Sequence, residues 1–135
     1  MSEKLKIYDN DNIKISIPNK PEFVGVVRLT TSAISNRLGF NIEEIDDIKV
    51  AVAEACTIIL ESQLTNTNID IEYILNDNEM TIFVRSEISE QDNEQLAEKG
   101  LGLFIIKSLM NEVEMKDDSG IKELKMIKRI EDVAQ

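Results

Sequence analysis

In the stretch "NIKISIP", Ile13, Ile15 and Ile17 alternate with Lys14 and Ser16. A period of two predicts a half-buried strand that ends before Pro18. Past Pro21 the period changes. Proline can open a helix because the first turn needs no amide hydrogen from it. Phe23, Val24, Val27, Thr31, Ile34 and Leu38 recur at three-and-four spacing, the mark of an amphipathic helix, with Gly39 as its stop. A second helix is predicted over "NIEEIDDIKVAVAEACTIILES". Asn41 is its cap, and Glu44, three residues on, is the capping-box partner. Ile45, Ile48, Val52, Ala55 and Ile59 form one stripe, which Ala51 and Ile58 widen. A helix this apolar is expected to pack on a sheet and to meet a second surface.

The period of two then returns. Ile69, Ile71 and Tyr73 alternate with Asp70 and Glu72, and Met80, Ile82 and Val84 follow beyond the turn "NDNE". These read as a hairpin. "EISEQDNEQLAEK" is acidic and reads as a loop running into a helix. "GLGLFIIKSLMNE" opens on two glycines and continues as a third helix. "VEMKD" and "IKELKMIKRI" read as a closing pair of strands, with the turn near Asp118 to Gly120. The order strand, helix, helix, strand, strand, helix, strand, strand predicts an α+β two-layer sandwich, a mostly antiparallel sheet with helices on one face. One domain is expected over residues 12–130. Residues 1–11 are polar and expected to fray, and 131–135 form a short tail.

Composition narrows the function classes. The 135 residues fit one compact domain, and a 42% hydrophobic share excludes disorder over most of it. No apolar run approaches the roughly 20 residues of a membrane helix. The first residues lack the apolar stretch of a signal peptide, so a cytoplasmic location and no membrane partner are expected. Cys56 is the one cysteine, which excludes a disulfide framework and a thiolate metal cluster. Inside an apolar helix it reads as a buried, inert thiol. Histidine is absent, which removes the usual proton shuttle and the usual zinc ligand. Acids outnumber bases 26 to 15, for a net charge of −11. Such a surface repels nucleic acid, and suits either solubility or a basic protein partner.

Two features could carry chemistry. The glycines of "GLGLF", Gly100 to Phe104, either make a tight turn or let backbone amides approach a phosphate at a helix N-terminus. Glu54 is an acid among alanines and aliphatics. It either idles at the edge of the stripe or faces a cleft, where it could act as a general base. Ile58 follows four residues later and shares its face.

The segments "PEFVGVVRLT" (Pro21 to Thr30), "IEEIDDIKVAVAEACT" (Ile42 to Thr57), "GLGLFIIKSLMNEVEM" (Gly100 to Met115) and "DSGIKELKMIKRI" together carry a resemblance that runs nearly end to end. The chain resembles the anti-sigma factors of the general stress response, serine-protein kinases of the histidine-kinase-like ATPase superfamily. The resemblance implies that superfamily's fold, with ATP and Mg²⁺ held between the helices and a glycine-rich lid. It also implies a homodimer that sequesters an RNA polymerase sigma factor, or instead binds and phosphorylates a small STAS-type antagonist. By the same resemblance Glu54 stands at the catalytic base, and Arg28 at an arginine that contacts both partners. Ser86 stands at the aspartate that binds the adenine amino group, and Gly100, Leu101, Gly102 and Leu103 lie in the lid motif.

The chain departs from the pattern in several places. Ile58 replaces the asparagine that holds Mg²⁺, so no metal ligand is assigned. Ser86 is not an aspartate, Ile88 replaces a glycine, and Ile59 and Leu60 add bulk. A hydrocarbon cannot coordinate a hard cation. The expectation is a regulator acting by partner exchange, with nucleotide binding and kinase activity weakened or lost. The alternative is an active serine kinase of the family's usual sort.

Overall fold

The computed structural model describes residues 11–62, 68–87 and 100–131. Residues 1–10 of the expected frayed start, residues 88–99 of the 86–99 lid region and most of the tail lie outside these residues; Asp11 instead belongs to β1, and Ser86 and Glu87 to β3. The elements are β1 (Asp11–Ile17), a 3-10 turn (Pro21–Phe23), α1 (Val24–Leu38), α2 (Ile42–Ser62), β2 (Ile69–Leu75), β3 (Glu79–Glu87), α3 (Leu101–Leu109), β4 (Glu112–Asp118) and β5 (Ile121–Arg129).

Local chemistry sets the ends of the helices. Pro21 opens a 3-10 turn, not the α-helix itself: the Val24 amide donates to the Pro21 carbonyl, and α1 proper starts there. Gly39, at φ 104°, ends α1 in the left-handed region, and its amide and that of Phe40 donate to the Ser35 carbonyl at 3.2 Å. That is the expected glycine stop. The α2 cap is reciprocal. The Glu44 amide donates to Asn41 Oδ1, and the Asn41 amide donates to Glu44 Oε1, each at 2.8 Å. The second Glu44 oxygen accepts the Glu131 amide at 3.1 Å, which ties the start of α2 to the exit of β5.

The sheet has the order β1-β2-β3-β5-β4, with every neighbouring pair antiparallel. β5 therefore lies between β3 and β4, and α3 is the crossover that carries the chain past its place. At the β4–β5 turn, Ser119 (φ 58°) and Gly120 (φ 80°) are both left-handed, as a two-residue hairpin loop requires. Alternation assigns the faces. Ile69, Ile71, Tyr73, Met80, Ile82, Val84, Leu124 and Met126 are fully buried or nearly so beneath the helices. Each buried isoleucine stabilises the fold by roughly 1.5–3 kcal/mol. The opposite face carries Arg85, which donates to Glu72 at 3.0 Å and to Glu123 at 2.8 Å. α2 is the central helix, with α1 on one side and α3 on the other. That double contact explains why Ala51, Ala55, Cys56, Ile58 and Ile59 are all buried along it. Thr31 of α1 and Tyr73 of β2 share a buried hydroxyl–hydroxyl bond of 2.7 Å.

Candidate functional site

The seam between α2 and α3 brings together three of the residues singled out by sequence. Gly100 is extended (φ −78°, ψ 162°) and leads into α3 without a side-chain cap. Gly102 sits inside the first turn. A methyl group placed on it would stand 3.0 Å from Glu54 Oε1 and 3.4 Å from two carbons of Ile58. Neither glycine of the pair needs a positive φ, so the turn is not what requires them. Gly102 is instead the point of close approach between the helices. Leu103 packs half-buried against the core, while Leu101 and Phe104 are exposed.

Glu54 is half-exposed and Ile58 is buried. Glu54 thus reaches solvent at the seam. It also lies beside the first turn of α3, the end of the helix that carries partial positive charge. Cys56, on the same helix, is fully buried, and burial pushes its thiol up to about 12. At that value it stays protonated and inert near neutral pH.

Ser86 belongs to a second cluster, at the end of the sheet where α2 leads toward β2. It faces the helices, only 4% exposed, and its hydroxyl donates to the Asn68 carbonyl at 2.7 Å. Directly across on β5 is Lys122, whose side chain is 1% exposed; its Nζ lies 3.8 Å from Asp117 Oδ2 on β4. Sequence reasoning missed Lys122. The signal was present, because it shares strand parity with the buried Leu124 and Met126. Arg28 belongs to neither cluster. It lies on the exposed side of α1, next to the exposed Leu29 and near Val26.

A magnesium ion needs several hard oxygen ligands in near-octahedral array. Glu54 offers one carboxylate, and Ile58 continues its face as hydrocarbon. Gly102 closes on both. Among the described residues no three acids or cysteines converge as a metal site. Among the described residues of this seam, Glu54 is the one acidic side chain beside Gly102, and Ile58 has no oxygen to offer a magnesium ion. Ile88, expected to crowd the base, lies outside the described residues.

The model of the histidine kinase-like ATPase domain family matches residues 17–128. The serine-protein kinase RsbW of Halalkalibacterium halodurans is 38% identical, over 87% of this chain and 83% of its own. That of Bacillus subtilis is 32% identical, over 82% and 81%. The chain belongs to the histidine kinase-like ATPase family. Among solved structures, a Mycobacterium tuberculosis chain containing RsbU and RsbW domains superposes with a TM-score of 0.71 at 17% identity. The match covers 89% of this chain and 32% of that one, and shows a shared fold. The α+β sandwich expected from sequence is therefore that of the histidine kinase-like ATPase family. No helix among the described residues is long and apolar enough to cross a membrane.

Proposed function

We propose that this chain is an anti-sigma regulator that works by partner exchange, without phosphoryl transfer. The unit spanning residues 12–130, acting as a cytoplasmic homodimer, sequesters an RNA polymerase sigma factor, and a STAS-type antagonist competes it off. The similarity to RsbW proteins supports the partner classes. The observation that carries the loss of chemistry is the closure of Gly102 on Glu54 and Ile58. A kinase must neutralise and align the phosphoryl group it transfers, and the buried hydrocarbon of Ile58 stands at the position where the resemblance puts the metal-holding asparagine. Exposed Arg28, on a chain of net charge −11, is suited to an ion pair with a partner carboxylate. In this reading Glu54 is an electrostatic partner of α3, and ATP and Mg²⁺ are not required.

The name that the relatives carry, serine-protein kinase, favours the second reading, in which Glu54 is a general base toward a partner serine. The two readings separate in one assay. The purified chain is mixed with its cognate antagonist, Mg²⁺ and labelled ATP, beside the Glu54→Ala variant. The expected result is no label on the antagonist in either case, while a sigma factor still co-purifies and is displaced by added antagonist. Label transferred by the unaltered chain and lost in Glu54→Ala overturns the proposal and establishes the kinase.

A further inference from the structure

We infer that Lys122 acts as a resident substitute for nucleotide, filling and neutralising the sheet end of the family's ligand site from within. The inference rests on the proposed loss of nucleotide use and names the side chain that maintains it.

An ammonium removed from water requires a partner and a reason for its place. Lys122 has Asp117 at 3.8 Å on one neighbouring strand and Ser86 as its cross-strand partner on the other. The three residues form a polar row across the helix-facing side of β4, β5 and β3, at the end of the sheet that continues into Asn68 and α2. Beyond the row on the same face come Met115, Leu124 and Val84, which belong to the apolar core. Two features give the row its effect. The first is volume: Lys122 at 1% exposure and Ser86 at 4% put two buried side chains on the helix-facing side of β5 and β3, where the resemblance places the purine. The second is sign. The aspartate that the resemblance implies would accept a hydrogen bond from a ligand's amino group. Here the hydroxyl of Ser86 gives its proton to Asn68, and the adjacent group is a cation that can only donate.

A consequence follows that Ser86 and Ile58 alone do not predict. An aspartate introduced at position 86 would face Lys122 across the strand pair and be captured by its ammonium. Restoring the two motif residues should therefore fail unless Lys122 is also removed.

The test compares the unaltered chain, I58N/S86D and I58N/S86D/K122T, with ATP and Mg²⁺ as the probe, read by calorimetry and by thermal shift. Circular dichroism checks each fold. The expected result is no binding by the first two, and binding by the third at least about tenfold tighter than either, with a matching rise in Tm. Equal binding by I58N/S86D and the triple variant overturns the inference, and so does a folded triple variant that binds nothing. If the triple variant does not fold, S86D and S86D/K122T are titrated with free adenine, which needs neither the metal nor the phosphate site. Binding by S86D/K122T and not by S86D supports the inference, and no difference between the two overturns it. The partner-exchange proposal fails separately, in the phosphorylation assay on the unaltered chain.

Discussion

Ser35 and Thr31 sit one turn apart on the buried side of α1 with opposite outcomes. The Thr31 hydroxyl has Tyr73 at 2.7 Å, whereas Ser35 Oγ is buried with no hydrogen-bond partner among the described residues. An unsatisfied buried hydroxyl costs about 1–3 kcal/mol, and alanine is also the better helix former. Ser35→Ala is expected to raise stability by about 1 kcal/mol, seen as a higher urea midpoint at unchanged slope. Two other buried groups make the fold sensitive to alkali. Burial pushes the Tyr73 phenol from an ordinary value of 10.0 up to about 12, against the opposing pull of its bond to Thr31, and lifts the Cys56 thiol from 9.0 to about 12. The unfolded chain gives up these protons at lower pH than the folded one. Their contribution is intact below about pH 9 and is lost as pH rises toward 12. A tenfold difference in acidity between the folded and unfolded chain corresponds to roughly 1.4 kcal/mol, so Tm is expected to fall steeply across that window. Tyr73→Phe and Cys56→Ala should each flatten the profile, measured by thermal melts from pH 8 to 12.

At the scale of the element, the α2 N-terminus shows what local spacing can and cannot reveal. Asn41 and Glu44 stand three residues apart, and their reciprocal bonds are those that spacing predicts. The third bond, from the Glu131 amide to Glu44, joins residues 87 apart, beyond the reach of any local pattern. Glu44→Ala removes the acceptor for two backbone donors at a site only 8% exposed. It is expected to destabilise by about 2 kcal/mol, and an equilibrium denaturation curve would show it. An effect under about 0.5 kcal/mol, the range of ordinary surface changes, would mean that these bonds add nothing to the fold. In α3 the position is reversed. "GLG" announced a helix start, but neither glycine adopts a positive φ where the sequence suggested a tight turn. The need for Gly102 is tertiary, created by Glu54 and Ile58 on another helix.

For the whole molecule, strand parity revealed the two layers because each strand buries alternate residues against helices. Parity carries no information on lateral order, so the place of β5 between β3 and β4 was invisible. The candidate site was legible where it departed from a familiar motif, at Ile58 and Ser86. It was illegible at Lys122, because a lysine in a strand reads as solvated until its neighbours are known. The lateral order has a kinetic corollary. β5 supplies the bonds that join β4 to the rest of the sheet, yet among the described strands it is made last. Until residues 121–129 thread into the gap, β3 keeps an open margin and β4 has nothing to pair with. Such late, distant pairing slows folding, and the unfinished margin is the kind of surface a chaperone would shield on the ribosome.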